Sequence, residues 1–128
     1  MTKVLVVEDD ADNMELVLEI IDAMGFTGHG AVDGIEAIKK VEKEFYDLII
    51  MDIMLPGMDG IETSRVIKSM PDYKVVPVIA LTALAMKGDK ERLLNSGFDC
   101  YIPKPISVHE FRKEIEKYTR RICSATGG

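Results

Sequence analysis

The chain has 128 residues, enough for one ordinary domain and too few for two comfortable ones. A hydrophobic content of 47% and a charged content of 30% support a packed core under a solvated surface and exclude a disordered chain. A formal net charge of −6 argues against direct nucleic-acid binding, which rests on basic contacts to phosphates.

No apolar run approaches the roughly 18 to 20 residues of a membrane span. Met1-Thr2-Lys3 leads straight into a strand pattern, so no signal peptide is expected. Cys100 and Cys123 have neither metal nor redox spacing and read as free thiols in a reducing compartment, which makes the cytoplasm the expected location.

In chain order, strand and helix patterns alternate. Lys3 to Val7 is a continuous apolar run of buried-strand type. Met14, Val17, Leu18 and Ile21 then recur at helical spacing until Gly25. Phe26 to Ala31 reads as a weak strand, interrupted by Gly28 and Gly30. Asp33-Gly34 opens a second helix with Ile35, Ile38 and Val41 on one face, and Leu48 to Met51 is a third strand. Asp59 is the N-cap of the next helix, with Glu62 three residues on, Ile61, Ile67 and Met70 along it, and Pro71 at its end. Val76 to Leu81 is a fourth strand, Lys87 to Ser96 a charge-rich helix closed by Gly97, and Cys100 to Ile102 a short fifth strand. Ser107-Val108-His109-Glu110 is a capping box that launches a last helix striped by Val108, Phe111, Ile115, Tyr118 and Ile122.

This (βα)5 alternation predicts an α/β fold. Five parallel strands would run in the flavodoxin-like order 2-1-3-4-5, with right-handed crossovers and helices on both faces. One domain over residues 1–122 is expected, then a flexible tail over 123–128 and no output domain.

Chemistry collects at the carboxyl ends of these strands. Glu8-Asp9-Asp10 follows the first, Asp52 the third, Thr82 the fourth and Lys104 the fifth. In an open parallel sheet those ends share one edge, and the functional crevice lies there. Strands one and three would be neighbours about 4.8 Å apart, so their carboxylates would repel one another. A hard cation removes the conflict: Mg²⁺, or Mn²⁺ in its place, takes oxygen ligands and is held by one or two carboxylates plus a phosphate. Asp9 and Asp52 are the expected direct ligands, with Glu8 acting through water and the backbone carbonyl of Met54 completing the set. Asp52 is also placed to attack phosphorus and carry an aspartyl phosphate, with Lys104 and Thr82 binding other phosphoryl oxygens. Each residue alone has a plainer reading as turn former, β-former or surface lysine; the joint placement at four strand ends carries the argument.

Several segments together resemble two-component response-regulator receiver domains: Val4-Leu5-Val6-Val7-Glu8-Asp9-Asp10, Met51-Asp52-Ile53-Met54-Leu55-Pro56-Gly57-Met58-Asp59-Gly60, Ala80-Leu81-Thr82-Ala83 and Tyr101-Ile102-Pro103-Lys104-Pro105-Ile106. The resemblance runs in the right order from about Lys3 to Tyr118, and Met86-Lys87-Gly88-Asp89 is similar to receivers of phosphorelays and cell-cycle control. It implies a stand-alone receiver, not an enzyme in the ordinary sense, that accepts phosphate on Asp52 from a histidine kinase or histidine phosphotransfer protein. It further implies that Thr82 moves toward the phosphoryl group and Tyr101 swings inward behind it. The Lys104-Pro105 bond would be cis. A downstream protein would read the face of the fourth and fifth strands and their helices, with the chain a monomer or a weak phosphorylation-dependent dimer. Met54 and Leu84 would flank the path of the attacking water; both are apolar, so slow self-dephosphorylation is expected. The rivals are a Mg²⁺-dependent phosphatase with an aspartyl intermediate, a flavin-binding module and a pseudo-receiver. The first wants an acid where Met54 stands, and the second wants a phosphate cradle where Glu8-Asp9-Asp10 would repel one.

Overall fold

The computed structural model describes residues 2–83 and 87–127. Its elements alternate as β1 (Lys3–Val7), α1 (Ala11–Ala23), β2 (Thr27–Ala31), α2 (Gly34–Lys43), β3 (Leu48–Asp52), α3 (Gly60–Lys68), β4 (Val78–Thr82), α4 (Lys87–Asn95), β5 (Cys100–Pro103) and α5 (Val108–Gly127). All neighbouring strands pair parallel, in the order β2-β1-β3-β4-β5.

The two-residue period of a strand sorts the continuous apolar runs onto two faces. Leu5, Val7, Ile49, Met51, Val78 and Ala80 pack with Ala37, Val41, Ile67 and Leu93 of α2, α3 and α4. Val4, Val6, Leu48, Ile50, Ile79 and Leu81 pack with Val17, Ile20 and Ile21 of α1 and Phe111 and Ile115 of α5. Covering both faces is what lets β1 run apolar from Val4 to Val7 and β3 from Leu48 to Met51.

Caps set the helix starts. Asp10 accepts from the backbone N–H of Asp12, Asp33 from Glu36 and Asp59 from Glu62, at 2.8–2.9 Å. Gly25 ends α1 with φ 84°, a conformation glycine takes without steric penalty. Residues 27, 29 and 31 of β2 turn their backbone toward β1, as the Thr27 N–H and the Ala31 carbonyl show. The outward carbonyl of Gly30 instead accepts from the Lys40 ammonium, which blunts the open edge.

Some expectations are corrected. Ile35 is 57% exposed rather than on the core face, because it lies roughly 120° around α2 from Val41, and Ala37 takes the inward place. Val108 is 47% exposed; the buried stripe of α5 begins one turn later at Phe111. The fourth strand starts at Val78, not Val76. Helix α5 is described as far as Gly127.

Candidate functional site

Three carboxylates meet at the carboxyl edge of the sheet. Glu8 follows β1, and its N–H is held by the Ala31 carbonyl at the end of β2. Asp52 is the last residue of β3, in register with Leu81. Because Val7 and Met51 are register partners, the residues after them emerge side by side. One carboxylate oxygen each from Glu8, Asp9 and Asp52 lies within 4.8 Å of the others. Glu8 and Asp52 are buried, at 0% and 3% exposure, while Asp9 is exposed to solvent.

Lys104 closes the cluster. Its backbone N–H bonds to the Thr82 carbonyl at 2.8 Å, which ties the end of β5 to the end of β4, and the Lys104-Pro105 bond is cis as the resemblance implied. The ammonium donates to Asp52 Oδ2 at 2.9 Å and lies 2.7 Å from Glu8 Oε1. The other Asp52 oxygen, Oδ1, accepts from the Met54 N–H at 3.0 Å. Asp52 is thus held at both oxygens by donors from two different segments.

The electrostatics match this crowding. Burial, with Asp52 beside it, pushes the Glu8 carboxyl up to about 7, against the opposing pull of Lys104. Burial works against the charge of Lys104, but Glu8 and Asp52 outweigh it and hold the ammonium above its ordinary value. Close as it is to Lys104, Glu8 Oε1 makes no hydrogen bond of good geometry and remains a buried oxygen with acceptor capacity to spare. A divalent cation fits this donor set: hard oxygens only, a buried one among them under-satisfied, and negative charge in excess.

The remaining expected residues fall around this centre. Thr82 ends β4, is buried, and stands in register with Pro103. Tyr101 pairs with Ala80 and packs, half-buried, against the core on the α2–α4 face. Met54 is 63% exposed at the mouth. Leu84 lies outside the described residues.

Two features were not read from the sequence. Lys104 was expected to meet a phosphate, and its direct pairing with both Glu8 and Asp52 depends on a fold that brings residues 8, 52 and 104 together. Gly60 was read only as part of a helix start. A Cβ there would come within 2.2 Å of the Asp52 carbonyl oxygen, so its lack of a side chain lets α3 begin against the acidic strand end. The Gly60 N–H bonds to the Ile53 carbonyl at 3.0 Å at the same place. A glycine directly after a capping Asp was the available signal.

The response regulator receiver domain family matches residues 4–116. The chain belongs to that family. It is similar to the polar-differentiation response regulator DivK of Brucella ovis, 43% identical over 119 residues, which cover 92% of this chain and 97% of that one. Among solved structures it resembles the chemotaxis response regulator CheY4 of Vibrio cholerae, with TM-score 0.88, 28% identity and 92% and 98% of the two chains covered. It also resembles the receiver domain of the sensor histidine kinase PA1611 of Pseudomonas aeruginosa PAO1, solved with a magnesium ion coordinated in its active-site cleft. There the TM-score is 0.84 and the identity 33%, over 91% and 96% of the two chains. No helix among the described residues is long and apolar enough to cross a membrane.

Proposed function

We propose that this receiver accepts a phosphoryl group on Asp52 from a phosphohistidine of a sensor kinase or phosphotransfer protein. The observation that carries the reading is Asp52 itself, buried at a strand end, bonded to Lys104, and within reach of two further carboxylates in a chain of receiver type. In the transfer, an Asp52 carboxylate oxygen forms a bond to phosphorus while the N–P bond of the donor breaks, and the released imidazole nitrogen takes up a proton. Asp9 and Asp52, with the Met54 carbonyl, would hold Mg²⁺ or Mn²⁺, and Glu8 would orient its water. The ion would neutralise charge on the transferring group. Lys104 would exchange one of its carboxylate contacts for a phosphoryl oxygen, and the Thr82 hydroxyl would donate to another.

Signalling then follows from a differential contact. A contact from Thr82 to a phosphoryl oxygen would exist only when phosphate is present, which is the differential interaction a population shift requires. Movement of Thr82 would vacate space for Tyr101, which stands half-buried here. The face of β4, α4, β5 and α5 would be read by a protein partner in the cytoplasm, with residues 1–122 as the working unit. The phosphatase alternative gains nothing, because the position two past Asp52 holds an exposed Met54 with no acid to offer.

Incubation with acetyl phosphate and Mg²⁺, followed by intact mass, tests this. Wild type is expected to gain one phosphoryl group and Asp52→Asn none; equal labelling of both would move the acceptor elsewhere.

A further inference from the structure

We propose that the groove between α1 and the edge strand β2, which opens beside Glu8 and Asp9 of the acidic corner and lies away from the β4–β5 face, docks a basic amphipathic helix of a protein partner. A cavity of about 540 Å³ runs along the outer side of α1. Met14, Leu18 and Val32 are among its apolar lining, Val32 being 52% exposed, and Glu15, Glu19 and Asp22 stand around them. A second cavity of about 500 Å³ shares Leu18 and Asp22 and continues past the end of α1 beneath Phe26 and Gly28.

The floor is built in advance. A Cβ at Gly30 would come within 2.9 Å of Met14 Sδ, and one at Gly28 within 3.0 Å of Leu18 Cδ2. The two glycines that weaken β2 as a strand therefore let α1 settle onto it and fix the side chains that line the groove.

Charge selects the occupant. Between Lys3 and Lys39 the chain carries nine acidic residues and no Lys or Arg, whereas from Lys39 onward 15 Lys or Arg face 13 Asp or Glu. Five of those nine, Glu8, Asp9, Glu15, Glu19 and Asp22, line this groove, which favours cationic flanks on whatever fills it. The span from Ala11 to Asp22 is roughly 16 Å along the helix axis, about three turns of a partner helix. A helix suits the site better than an added strand. The floor is side chain rather than backbone, and the outward Gly30 carbonyl already takes Lys40.

The test titrates the ¹⁵N-labelled full chain with a Leu/Lys amphipathic helix of about fourteen residues, a Leu/Glu helix of the same pattern, and a scrambled Leu/Lys peptide. The Leu/Lys helix alone is expected to give saturable shifts clustered on residues 11–32. Its affinity should fall about tenfold or more in Glu19→Lys/Asp22→Lys and stay unchanged in Asp52→Asn. Both rim residues are exposed, so a thermal melt should show the double variant folded as wild type. Equal binding of the scrambled or Leu/Glu peptide, shifts centred on β4 and β5, or indifference to the rim reversal would each overturn the proposal.

Discussion

The acidic corner at β1 and β3 and the helix that follows β4 are held in opposite ways. At the corner every strand residue from Val4 to Val7 and from Leu48 to Asp52 is buried, and Asp52 is fixed at both oxygens. On α4, among the side chains described, Leu93 is buried while Glu91, Arg92, Leu94 and Asn95 are exposed. Among these described side chains Leu93 is the apolar anchor of α4, and the charges of Glu91 and Arg92 are exposed. Phosphoryl transfer needs atoms fixed in advance, whereas a readout surface needs two arrangements of similar free energy. Low local stability in α4 beside a rigid corner would meet both requirements.

Substitutions can break or sharpen this contrast. Ile50→Ala, in the middle of β3, should lower global stability by about 4 kcal/mol. Leu93→Ala should cost about 2 kcal/mol and accelerate amide exchange chiefly in α4. Equal, global effects of the two in urea melts and hydrogen exchange would erase the distinction. At the corner itself, Lys104→Met leaves Glu8 and Asp52 buried together without their cation and should cost about 3 kcal/mol in metal-free protein, with much of that recovered on adding Mg²⁺.

The pH dependence of the corner is smaller, and its sign follows from Glu8. A carboxyl whose folded value is raised to about 7 contributes stability that is complete below its ordinary value of 4.5 and is lost as pH rises through 7. Metal-free protein should therefore weaken between pH 5 and pH 8, and Glu8→Gln should flatten that slope. An unchanged slope in the variant would mean that another group carries it. The smallest expected effect is kinetic. Met54→Asn puts a polar group at the exposed mouth and should speed loss of phosphate from the acylphosphate about threefold, ~0.7 kcal/mol of barrier. No change in decay would remove Met54 as a brake.

Much of this was legible before any coordinates. The unbroken runs Val4–Val7 and Leu48–Met51 announce strands covered on both faces, and the caps at Asp33 and Asp59 announce helix starts. Strand-end chemistry placed Glu8, Asp9 and Asp52 together because a parallel sheet puts all such ends on one edge. Ile35 misled because two isoleucines three apart and a valine three further on span too wide an arc for all to face the core. Lys104 was found but its contacts were not, since periodicity carries no information about which side chains cross a crevice. The weak strand Thr27–Ala31 looked like a defect; its glycines are explained by the approach of Met14 and Leu18 from another element.

Local pattern alone determined the order and type of the elements, the parallel sheet and the identity of the acidic residues, because hydrophobic period and capping act within a few residues of each position. Tertiary structure alone decided that Lys104 bridges Glu8 and Asp52, that Gly60 must lack a side chain beneath Asp52, and that α1 and β2 enclose an acidic groove. Those are contacts between segments distant in the chain, and their distances are set by how the layers pack.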